Sequence, residues 1–142
     1  MSITKEQWAE IEKQLSGMMG RVKLMCDGYE IDANIERCKM RLYVMVYVDG
    51  CVKGEWIANR EGSEIPLKFH REQKRPAAGA KMRAWYLKES KSRFWSKEQR
   101  AAHAAKARKT FSTWMPYWTN AQAFCRHIRK TCTSIELVKI GY

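Results

Sequence analysis

Acidic residues are nearly missing from the middle of this chain. Between positions 68 and 109 there are only Glu72, Glu89 and Glu98, against fourteen lysines and arginines. A long apolar run is missing too: the longest, residues 42–48, is seven residues, where roughly 20 are needed to cross a bilayer. The opening Met-Ser-Ile-Thr-Lys-Glu-Gln leads straight into a charged, helix-like pattern with no signal-type segment, so a soluble, unsecreted protein is expected. There is no CxxC pair among the five cysteines, Cys26, Cys38, Cys51, Cys125 and Cys132. An odd, scattered set fits a reducing compartment in which thiols act as small hydrophobes. Cys125, His127 and Cys132 can be placed on one helix, but no second pair at ligand spacing accompanies them, so no metal is expected. No glycine-rich phosphate loop is present, which leaves nucleotide hydrolysis without support, and no cofactor is expected. Internal repeats are absent as well.

What is present is a concentrated positive charge. Residues 68–109 carry net +11 of the chain's +12, whereas residues 1–67 hold nine basic and eleven acidic groups and residues 110–142 hold four and one. A segment of this kind repels itself unless it meets an anion. At 142 residues the chain is most simply one domain, 1–142, able to bury about two-thirds of its unfolded surface.

Taken in order, Thr4-Lys5-Glu6-Gln7 has the form of a capping box, and Trp8, Ile11, Leu15 and Met18 follow at helical spacing, predicting a first helix over about 5–16. Residues 21–26 alternate, Asp27-Gly28 signals a type I′ turn, and residues 29–36 place Tyr29, Ile31, Ala33 and Ile35 inward. Residues 39–48 are apolar enough to read as a central strand covered on both faces. Asp49-Gly50 then leads into a fourth strand over 51–58, completing a four-stranded antiparallel meander. Residues 1–58 thus hold the first helix and the meander, 59–95 a basic insertion, and 96–142 two helices and a last strand. Periodicity lapses over 59–76. Over 81–91 a short helix and an extended arm both remain open. Ser96-Lys97-Glu98-Gln99 opens an alanine-rich helix to about 109, on which Lys97, Arg100, Ala101, Ala104 and Arg108 share one side. Thr119-Asn120 starts another, with Phe124, Cys125 and Ile128 facing in and Arg126, Arg129 and Lys130 opposite. The expected class is α+β.

The run Trp114-Met115-Pro116-Tyr117-Trp118, the helix with Arg126-His127-Ile128, and the ending Ile140-Gly141-Tyr142 resemble small uncharacterised proteins encoded by bacteriophages and prophages. So do the opening Ile3-Thr4-Lys5-Glu6-Gln7-Trp8 and the hairpin Val46-Tyr47-Val48-Asp49-Gly50. The resemblance implies a phage or prophage setting in a bacterial cytoplasm and carries over no activity and no site.

The basic stretch is interleaved with Phe69, Trp85, Tyr86, Phe94 and Trp95. That mixture suits nucleic acid, with phosphates meeting cations and bases stacking on rings. The expected function is therefore non-enzymatic nucleic-acid binding, DNA or RNA. Arg71, Lys74, Arg75, Lys81, Arg83, Lys97, Arg100 and Arg108 are the phosphate contacts, Trp85 and Trp95 the stacking rings, and Arg126, Arg129 and Lys130 an extension on the last helix. The alternative is a phage-encoded inhibitor whose cations dock on a host protein or nucleoprotein defence complex. A third reading, an Mg-dependent nuclease, would need carboxylates such as Glu61, Glu64 or Glu136 to converge on a metal. His70 and His103 have no nucleophile partner in the sequence and read as exposed or phosphate-contacting.

Overall fold

In the computed structural model, which describes residues 3–142, the elements in chain order are α1 (Lys5–Gln14), β1 (Arg21–Cys26), β2 (Tyr29–Cys38), β3 (Arg41–Val48), α2 (Glu55–Ala58), α3 (Glu64–Phe69) and β4 (Arg71–Pro76). They continue with α4 (Ala80–Glu89), α5 (Lys97–Arg108), β5 (Thr110–Met115), β6 (Tyr117–Trp118), α6 (Ala121–Thr131) and β7 (Ile135–Ile140). The class is α+β, as expected. The chain divides into two compact units, residues 1–72 with 114–142, and residues 73–113. The first holds the five-stranded sheet with α1, α2, α3 and α6.

Its start follows directly from the sequence. The Thr4 hydroxyl accepts the Gln7 N–H while the Gln7 side chain accepts the Thr4 N–H, so two of the helix's unpaired donors are satisfied at once. Trp8 and Ile11 are then buried, with Leu15 at the C-cap. The return from α1 into β1 is made by Gly20 in very tight quarters. A Cβ there would stand 1.9 Å from the backbone carbonyl oxygen of Gln14 and 3.2 Å from Ile35 Cγ1. Since backbone must move to relieve such a contact, Gly20→Ala is expected to cost about 2–3 kcal/mol in urea unfolding. A loss below about 0.5 kcal/mol would contradict the close approach.

β1, β2 and β3 form an antiparallel meander, paired Leu24 to Ile31 and Ala33 to Val46. Positive φ at Asp27, Gly28, Asp49 and Gly50 fits the two hairpin turns to their Asp-Gly signals. The full sheet order is β6-β3-β2-β1-β7, with the last strand beside β1. Val22, Leu24, Cys26, Ile31, Ala33, Val44, Val46 and Val48 are buried in the core with Ile11, Phe69, Phe124 and Ile128 from the helices. Tyr29 and Ile35 pack against its edge.

Three expectations are corrected. β3 is buried on one face only: Val44, Val46 and Val48 point in, while Tyr43, Met45 and Tyr47 are half-buried on the other face, where Tyr43 meets Tyr117 edge-on and Tyr47 donates to Glu36. An aromatic on a half-exposed face reads like core in a one-dimensional pattern. The expected strand at 51–58 is instead a single bridge between Cys51 and Val48 followed by α2, which buries Trp56. The tight Asp49-Gly50 turn lets only Cys51 pair back before Gly54 admits a helical turn. His70 is buried, 1% exposed, with its ring 5.6 Å from Trp56. Burial pushes its pKa down to about 4, so at neutral pH it is an uncharged core group.

Asp27, at the first turn, ties three distant segments together. It accepts from Lys68 Nζ at 2.9 Å, from Thr133 Oγ1 at 2.8 Å, and from the Thr133 and Ser134 amides. Its side chain is 10% exposed, and the hydrogen bonds, that from Lys68 above all, hold its carboxyl well below the usual range. A carboxylate favoured in this way binds its proton more weakly when folded than when unfolded, so its contribution is complete above the unfolded pKa of about 3.9. It is lost as pH falls through the lower folded value. Asp27→Asn is therefore expected to cost about 2–3 kcal/mol at pH 7. The gap from the native chain should narrow below about pH 4. Denaturant titrations at pH 7 and pH 3 check this, and an equal gap at both would contradict it.

Candidate nucleic-acid interface

The second unit, residues 73–113, is where the charge lies. It contains twelve basic residues and two acidic ones, net +10, leaving +2 for the other 101 residues. β4 and β5 pair as a two-stranded ribbon. Thr113 Oγ1 donates to the Gln73 carbonyl at 3.3 Å, and the Ala77 amide donates to the Lys109 carbonyl at 2.9 Å. Between them α4 and α5 fold back on one another.

The α5 start was legible: Ser96 and Gln99 form the reciprocal capping box at 3.2 and 3.0 Å. Alanine at five interior positions supplies the propensity. Of residues 81–91, for which a helix and an extended arm are both open from sequence, those up to Glu89 are helical, in α4. Their apolar members Met82, Trp85, Tyr86 and Leu87 spread around the helix, and none of them is buried.

The two helices meet through rings and polar groups. His103 lies centrally on the α5 face, its ring 4.9 Å from Trp95, 5.4 Å from Trp85 and 6.0 Å from Tyr86. The Trp95 indole N–H donates to Glu89, one of the unit's two acids. Lys106 Nζ stands 5.8 Å over the Tyr86 ring. Arg83 Nε, Arg100 Nε and His103 Nδ1 are shut from solvent with no hydrogen-bond partner, which is costly for a polar interior. Across all 41 residues only Ala107 is buried, at 9% exposure.

Of the residues expected to bind nucleic acid, nine lie in this unit: Lys74, Arg75, Lys81, Arg83, Trp85, Trp95, Lys97, Arg100 and Arg108. Lys74, Arg75, Lys81, Lys97 and Arg108 are exposed, while Arg83 and Arg100 are half-buried where the helices meet. The side expected from the helical wheel is therefore divided, with Lys97, Ala101 and Arg108 outward and Arg100 and Ala104 partly covered. Trp85 is 44% exposed. Trp95 is half-buried in the ring cluster, a packed position.

The other four belong to the first unit. Arg71 stacks on Tyr117 at 5.4 Å and Arg129 on Trp8 at 4.3 Å. Such contacts occupy a guanidinium face, and Arg71 Nε is shut from solvent as well. Arg126 and Lys130 are exposed on α6. The ring missed as a site by sequence reasoning is Phe94, between α4 and α5. At 83% exposure it is the most exposed aromatic among the described residues whose exposure is given. The signal for it was a phenylalanine bracketed by Arg93, Trp95 and Lys97 outside any helical repeat.

Two other chemistries fare differently. Cys125 is fully buried, and His127 Nε2 lies 3.0 Å from the Leu67 carbonyl oxygen. Glu64 accepts from Tyr29 and lies 3.9 Å from Lys68. Among the described residues no three histidines, cysteines or acids are grouped so as to hold a metal ion. Nor is any described helix long and apolar enough to cross a membrane. No family model, no curated protein and no solved structure matches the chain, so the phage resemblance gains no support from comparison.

Proposed function

We propose that the unit formed by residues 73–113 is a non-enzymatic nucleic-acid-binding hairpin, with the sheet-and-helix unit as its scaffold. The observation that carries this reading is the pairing of net +10 with a single buried residue across 41 positions. A segment that small gains little from its own core, and most of its cations, with the Trp85 and Phe94 rings, are exposed. A polyanion would neutralise the first and cover the second.

Binding of labelled 20-mers, followed by anisotropy from 50 to 300 mM salt, tests the reading. If about six exposed cations meet phosphates, log K should fall with log salt at a slope of about −4 for a single strand. Affinity that ignores salt, or no binding at 50 mM, would refute it. The second reading, an inhibitor docking on an acidic host protein, is favoured by the exposed apolar side chains of Met82 and Leu87, each at 49%. It would prevail if free nucleic acid fails to bind while one defined host complex is retained.

A further inference from the structure

Building on the reading of residues 73–113 as a nucleic-acid-binding hairpin, we infer that its ligand is an unpaired strand and that Phe94 is the platform on which a base stacks.

Phe94 lies in the connection between α4 and α5, where the Ser92 hydroxyl accepts its backbone N–H at 3.3 Å. Its ring meets Trp95 edge-on, with centroids 5.0 Å apart and planes at 87°. Trp95 is itself held by the hydrogen bond to Glu89 and the contact with His103. A locked tryptophan thus props up a phenylalanine that is 83% exposed. An edge-on contact uses the rim of one ring and leaves a face of the other free. Lys88, Lys91, Arg93 and Lys97, all exposed, lie within six residues of it along the chain.

An isolated apolar ring at a surface is ordinary. A ring held upright by a half-buried partner, in a stretch with four exposed cations, pairs the two features that single-strand binding needs, a π-face for a base and charges for the phosphates beside it. A duplex has use for the charges alone, because its base faces are already stacked on each other. Charge therefore accounts for general affinity, and Phe94 for the preference between strand states. DNA and RNA single strands share this chemistry and are separate arms of the test.

The experiment measures anisotropy with fluorescein-labelled 20-mers of single-stranded DNA, single-stranded RNA and duplex DNA. The proteins are the full chain, Phe94→Ala and Phe94→Trp. Phe94→Ala should weaken binding to one or both single strands about 10- to 100-fold. It should leave duplex affinity and the salt slope unchanged, and Phe94→Trp should retain native affinity. Equal affinity of Phe94→Ala and the native chain for both single strands, or equal losses on single strand and duplex, would overturn the assignment while leaving the hairpin a charge-driven binder. Failure of the native chain to bind any of the three would remove the hairpin reading and this inference with it.

Discussion

Replacing Lys74, Lys81, Lys88, Lys91, Lys97 and Arg108 together by glutamine is expected to lower affinity for a single strand on the order of 10²- to 10³-fold at 0.15 M salt. All six are exposed, so their loss removes charge without touching the contacts between α4 and α5. Glutamine keeps a long side chain and good helix propensity, so circular dichroism should be unchanged. Each phosphate contact on a single strand contributes about 0.7 to the salt slope. Losing these contacts should flatten the slope markedly, leaving what Arg75, Arg93, Lys106 and Lys109 sustain, and the loss should be similar for every sequence. A sextuple variant that binds like the native chain would place the contact surface elsewhere. One that loses affinity but keeps its slope would show that the loss came from structure and not from charge.

The second large effect belongs to the scaffold. Phe124→Ala is expected to destabilise the protein by about 3–5 kcal/mol. Phe124 has no exposed surface, lies on the inner face of α6 among Ala121, Cys125 and Ile128, and its ring centroid is 6.0 Å from that of Trp118. Trp118 in turn donates its indole N–H to the Phe69 carbonyl at 3.0 Å, so truncation opens a cavity beneath a fixed ring. Collapse around the gap is limited by that bond, which argues for the upper part of the range. Against a typical total of 5–15 kcal/mol the loss is severe. Urea unfolding monitored by tryptophan fluorescence gives the value, and a loss under about 1.5 kcal/mol would mean the site repacks freely.

What the sequence disclosed and what it hid follow one physical line. Features fixed by neighbours along the chain were legible: the Thr4 and Ser96 capping boxes, the Asp27-Gly28 and Asp49-Gly50 turns, the inward face of α6, and the extended character of residues 135–140. Features fixed by distant partners were not. Tyr43 and Tyr47 on β3 look like core residues because alternation cannot say which face a sheet leaves open. The His70 ring is buried beside Trp56, a residue fourteen positions away in a segment misread as strand. Nothing near Asp27 in sequence foretells that it will receive Lys68, Thr133 and Ser134.

The candidate interface divides in the same way. Its charge was plain from counting, because net charge needs no fold. Which rings are free was not, since Trp95 and Phe94 are adjacent and equally aromatic. Only the Glu89 hydrogen bond and the His103 contact make one a prop and leave the other exposed.

Ultraviolet crosslinking of the native protein to a uniformly labelled single strand, followed by mass spectrometric mapping of the adducts, addresses the interface without any substitution. Adducts concentrated within residues 73–113, Phe94 and Trp85 among them, are the predicted result. Adducts confined to residues 3–72 and 114–142 would contradict it.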